Sequence, residues 1–153
     1  MQTMTVELLR YDKDGKTCDR CEETARVIER VVKKMTTALR NIKVELLYKQ
    51  VPLQEDRISE SNTVTINGKD VGLILAEGNC ELTSCPWCSE MLGKEVECKT
   101  FTYKGQKHES ITEDMLQEAI LTELPTPTAM SKADAVAKVI CDCKDECSGT
   151  HQI

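Results

Sequence analysis

Nine cysteines in 153 residues, gathered into three clusters, constrain this chain more than any other feature. They read Cys18-Asp-Arg-Cys21, then Cys80-x4-Cys85-Pro-Trp-Cys88 with Cys98 beyond, then Cys141-Asp-Cys143-x3-Cys147. Scattered cysteines serve as small buried hydrophobes, but thiols two and three residues apart have a chemical use. They form or exchange a disulfide, or they ligate a soft metal. A chain of this length buries roughly 68–70% of its unfolded surface, so it does not need disulfides to fold.

Other features narrow the setting. The start, Met1-Gln-Thr-Met-Thr-Val-Glu7, lacks a basic stretch leading into an apolar run, and no segment is apolar over ~18 residues. A cytoplasmic protein with no membrane partner is expected. In that compartment clustered thiols are catalytic or metal-binding, and an odd count of nine argues against complete internal pairing. A net charge of -6 and 3% aromatic residues disfavour nucleic acid as a partner, since it asks for a basic face and stacking platforms.

The pattern of elements predicts an α/β fold. Met4–Tyr11 reads as a strand and Asp12-Lys-Asp-Gly15 as a turn. From about Asp19 to Arg40, Ala25, Ile28, Val32, Met35 and Leu39 recur at helical steps, widened by Val27, Val31 and Ala38. Asp19 with Glu22 fits a capping box. Lys43–Lys49 reads as a strand parallel to the first, reached by a right-handed crossover. Asn67-Gly68 predicts a hairpin, Lys104-Gly105 another, and Thr112 caps a helix to Leu121. Residues 78–98 read as an irregular cysteine-rich insertion. Three regions are expected: a domain over 1–123, a proline-marked linker over 124–130, and a helix with a cysteine-rich tail over 131–153. Ala133, Val136, Ala137 and Ile140 would form the buried side of that last helix.

Cys18 and Cys21, between a strand and the first turn of a helix, make a catalytic dithiol. Unpaired helix N–H groups and Arg20 favour a thiolate, with Cys18 as nucleophile and Cys21 as resolving thiol. Cys80, Cys85, Cys88 and Cys98 are the expected metal ligands, with zinc the first candidate, since a knuckle plus two flanking cysteines closes a tetrahedron. Redox or metalloid-handling thiols remain the alternative there. Cys85-Pro-Trp-Cys88 resembles glutaredoxin-type sites, but it follows a hairpin, and Ser89–Gly93 leaves scarcely one helical turn. Cys141, Cys143 and Cys147, with His151, are accessory thiols that capture a soft ion or exchange with Cys18–Cys21.

The run from Thr5-Val-Glu-Leu-Leu9 through Cys18-x-x-Cys21 to Val64-Thr-Ile-Asn-Gly68 resembles the thioredoxin-like superfamily, in its small redox-disulfide branch. From Glu60 to Ile120 the chain resembles an uncharacterised family, domain of unknown function 2703. The resemblance implies a thioredoxin-like mixed sheet with flanking helices. Asn62 falls where that superfamily places a cis-proline, so the Ser61–Asn62 bond is expected trans and the dithiol open to a metal.

Two function classes follow. One is a thiol–disulfide oxidoreductase acting on a protein or small-molecule disulfide, with a zinc-held module beside its dithiol. The other is a carrier for zinc, copper(I), mercury or arsenite. A lyase on a carbon–metal bond needs thiolates beside a proton donor, which the sequence permits without pointing to it.

Overall fold

The computed structural model describes residues 1–126 and 130–143. Part of the expected linker, Cys147 and His151 lie outside the described residues. Strand β1 (Gln2–Arg10) turns through a tight hairpin, β2 (Asp12–Lys13) and β3 (Lys16–Thr17), into helix α1 (Asp19–Arg40). Strand β4 (Val44–Pro52) returns parallel to β1, so the expected crossover is present. After a 3-10 segment at Glu55–Glu60, β5 (Thr63–Ile66) runs antiparallel to β1 and pairs with β6 (Lys69–Asp70). The resulting mixed sheet has the order β4-β1-β5-β6.

Alternation in β1 buries Met4, Val6 and Leu8 on one face. Helix α1 lays Ala25, Val27, Ile28, Val31, Met35, Ala38 and Leu39 into the same core, as its periodicity predicts. Each such large side chain contributes roughly 1.5–3 kcal/mol by leaving water. The Asn67-Gly68 and Lys104-Gly105 turns carry positive φ angles at both residues, the geometry of a two-residue hairpin.

The region expected to be irregular is ordered. A short helix α2 (Val71–Ile74) leads into strand β7 (Gly78–Ser84), helix α3 (Pro86–Leu92) and strand β8 (Glu97–Tyr103). With β9 (Gln106–His108) these strands form a second sheet, β7-β8-β9. No residue of β7 is fully buried, which removed the apolar alternation that would have announced a strand. Proline at the first position and Gly93 at φ 67 as C-cap delimit α3, whose seven residues leave about one turn after Cys88, as expected.

Helix α4 (Glu113–Thr122) starts where Thr112 accepts a hydrogen bond from Met115 N–H, and it packs beside α1. Helix α5 (Lys132–Asp142), capped by Ser131, buries Ala135 and Val139 against the core. The expected side was different: Ile140 is exposed, because the helix docks on α1 through the neighbouring stripe. The capping box at Asp19 also gives way. Cys18 is the N-cap of α1, with extended backbone and no side-chain cap bond.

The two sheets are tied together at Ser61–Asn62. Asn62 has φ 71, a left-handed conformation that asparagine tolerates. Its side-chain amide donates to the carbonyls of Lys99 and Glu109, each at 2.8 Å. Lys99 N–H donates to Ser61 O at 3.2 Å. No cis peptide bond occurs among the described residues, Ser61–Asn62 included. No helix among them is long and apolar enough to cross a membrane.

Candidate metal centre

The docking of the second sheet onto the start of α1 brings four thiols from three segments to one point. Cys18 caps α1, Cys85 caps α3, Cys88 lies in the first turn of α3, and Cys98 lies on β8. Their sulfurs all lie within 4.8 Å of one another, and all four residues are buried. Cys88 Sγ and Cys98 Sγ are 3.7 Å apart. A tetrahedron with metal–sulfur bonds of ~2.3 Å has sulfur–sulfur edges of about 3.8 Å, so the donor set fits a tetrathiolate ion.

Three of these four were expected together. The fourth was expected to be Cys80, and Cys18 stands there instead. The β7–β8 ladder supplies the reason: Thr83 faces Cys98, whereas Cys80 faces Phe101. Three residues along a strand reverse the side, so Cys80 points to the main core. There it packs under α2, where a Cβ on Gly72 would come within 3.0 Å of its sulfur. Burial, then Asp70, pushes its thiol up to about 12.

Cys21 lies in the same apolar pocket as the four thiols, with Val96 closing it, but outside the four-sulfur group. Its sulfur is 3.0 Å from Ser61 Oγ, and that hydroxyl accepts the Tyr11 N–H at 3.0 Å. Cys18 accepts hydrogen bonds from Cys21 first, then Cys85, Cys88 and Cys98, which hold it far below the usual thiol range. The same bond to Cys18, with burial, pushes Cys21 up. For Cys85 the bond with Cys18 raises the value, but Cys88, Cys98 and the Cys88 N–H outweigh it and bring it to about 7. Cys88 and Cys98 are pushed up, first by Cys18 and then by Cys85. The pocket thus favours negative charge on Cys18 and Cys85 and resists it on Cys88 and Cys98. Four thiolates side by side call for a cation between them.

Arg20 supports this arrangement. Its guanidinium is only 7% exposed and donates to the carbonyls of Ser84 at 2.6 Å, Thr83 at 3.3 Å and Cys98 at 3.4 Å. It also pairs with the exposed Glu109 at 3.4 Å. One side chain from α1 therefore grips the segments that carry Cys85 and Cys98, and it places a positive charge beside a site that gathers negative charge. Sequence reading noticed the charge of Arg20 but not this clamp, because its partners are main-chain carbonyls with no sequence signature. Ser61 left no signal either. A cavity of about 300 Å³ opens beside Cys18 and Cys85, lined also by Arg20 and Trp87.

The two described tail thiols, Cys141 and Cys143, lie elsewhere. Asn41 Nδ2 at the C-cap of α1 donates to Asp142 at 3.2 Å, so the end of α5, with Cys141 and Cys143, sits beside the far end of α1. At ~1.5 Å per residue, that helix end is about 30 Å from Cys18.

Comparison with known proteins agrees on kinship and is silent on activity. The chain is 28% identical over 117 residues to an uncharacterised protein of Archaeoglobus fulgidus, covering 74% of this chain and 82% of that one. No solved structure matches it. A family model matches residues 4–120, and the chain belongs to that family, the Domain of unknown function (DUF2703).

Proposed function

We propose that the protein binds one thiophilic ion per chain through the thiolates of Cys18, Cys85, Cys88 and Cys98. The observation that carries this reading is the burial of four sulfurs within 4.8 Å of one another. Soft thiolate donors select zinc, copper(I), or mercury- and arsenite-like species over hard cations. Arg20 offsets part of the negative charge of a tetrathiolate and fixes the carbonyls next to two ligands. The bound ion would hold α1, α3 and β8 together.

The test is anaerobic purification followed by metal analysis and titration with cobalt(II), whose thiolate charge-transfer band counts sulfur ligands. The expected result is one ion per chain with a four-thiolate spectrum, retained in Cys80→Ser and lost in Cys98→Ser. Equal loss in both variants, or no stoichiometric uptake, overturns the reading.

A second reading, thiol–disulfide exchange by the Cys18–Cys21 dithiol, is supported by a different observation. Cys18 stands at the N-cap of a 22-residue helix within a strand–helix–parallel-strand unit, the setting that favours a nucleophilic thiolate in thioredoxin-like proteins. Reductase turnover abolished by Cys18→Ser is its test.

A further inference from the structure

Cys21 is a fully buried thiol that touches the four-sulfur group without belonging to it. It lies three residues after Cys18 in the first turn of α1, where side chains at that spacing share a face. Ser61 holds its sulfur at 3.0 Å, and the Tyr11 N–H anchors Ser61 in turn. Cys18 therefore belongs to two sets at once: the four ligands and a vicinal dithiol. One sulfur cannot serve both, because the electron pair it gives an ion is the pair it needs for a sulfur–sulfur bond.

We propose that the Cys18–Cys21 pair is a redox catch for the ion held by Cys18, Cys85, Cys88 and Cys98. Oxidation of the pair by a small-molecule disulfide removes one ligand of the four and releases the ion. This inference rests on the tetrathiolate reading above. The cavity beside Cys18 and Cys85 gives such a disulfide its approach.

The Cys18 thiolate attacks one sulfur of the incoming R–S–S–R, forms a mixed disulfide, and expels the first RS⁻. Cys21 gives its proton to water and attacks the Cys18 sulfur, forming the Cys18–Cys21 disulfide and expelling the second RS⁻. The protein loses two electrons and the small disulfide gains them. Cys85, Cys88 and Cys98 take up protons from water as the ion departs. Pairing Cys85 with Cys88 instead would remove two ligands at once, whereas Cys21 enters from outside the ligand set.

The experiment loads reduced full-length protein with one equivalent of zinc under nitrogen and adds glutathione disulfide. A chromogenic chelator reads released zinc, and peptide mass mapping reads the bridges. The wild type is expected to release one zinc per Cys18–Cys21 disulfide formed and to rebind it after reduction by a dithiol. Cys21→Ser and Cys21→Ala are expected to bind zinc with the same stoichiometry and release it at least tenfold more slowly. Both variants releasing zinc at the wild-type rate, or a map dominated by Cys85–Cys88, overturns the catch while leaving the metal site standing. A reduced wild type that takes up no zinc overturns the metal site and the catch together.

Discussion

Two Cys-x-x-Cys turns of identical spacing stand at helix starts in this molecule, and they end in different roles. At α3 both members, Cys85 and Cys88, join the four-sulfur group. At α1 only Cys18 joins it, while Cys21 turns to Ser61. The helices differ too: α3 is a seven-residue turn near the surface, and α1 is a 22-residue core helix. Spacing alone makes two thiols neighbours. What packs against them decides whether both, or one, meet a third and fourth.

The largest expected effect tests that asymmetry directly. Zinc-finger sites draw ~10–16 kcal/mol from four ligands, or about 3 kcal/mol each, so Cys88→Ser should weaken zinc binding by about 100-fold. Cys21→Ser should change it by less than about threefold in the same competition titration, because the non-ligand thiol carries none of that share. Equal losses in the two variants would erase the distinction between the turns.

Ser61→Ala sharpens the Cys21 side. It strips the thiol of its hydroxyl partner and leaves the Tyr11 N–H buried without an acceptor. Denaturant unfolding of the metal-free protein should show a loss of about 2 kcal/mol, while zinc stoichiometry stays at one. Arg20→Gln comes next. It removes the clamp by which the first turn grips the segments of the second, and loss of such outer support should weaken zinc binding about tenfold. Arg20→Lys, which keeps the charge but not the fork to the carbonyls, should restore only part of it.

The smallest effect concerns Cys80, the thiol left out of both turns. Its value is raised from 9.0 to about 12, so it stays protonated in the fold at pH values where an unfolded thiol ionises. Its contribution to stability is thus complete below about pH 9 and falls as the pH rises from there toward 12. At pH 9, iodoacetamide should alkylate Cys80 in the native protein more slowly than in the same protein in guanidinium. Equal rates would contradict the burial beneath α2.

Much of the framework was legible in the residues. The apolar stripe of α1, the Asn67-Gly68 and Lys104-Gly105 turns and the Thr112 cap are short-range signals, and each stands where it was read. Strand β7 was missed because it buries none of its side chains completely, and α3 because seven residues cover only about two turns, too short a window for a periodic pattern. In α5 the helix was legible but its buried side was not. Two adjacent stripes are apolar there, and contact with α1 chose between them.

For the site, the chain's own order of residues determined that thiols would cluster and that Cys85, Cys88 and Cys98 would lie together. It also determined that Cys18 would sit at the entrance of a helix, since those facts depend on neighbours in sequence. Only the tertiary structure decided that Cys18, rather than Cys80, completes the four. That choice turns on the face of β7 to which Cys80 points and on the docking of the second sheet through Asn62 and Arg20. The first depends on strand partners 15 and 21 positions apart and the second on contacts more than 35 positions apart, and no local pattern of cysteines encodes either.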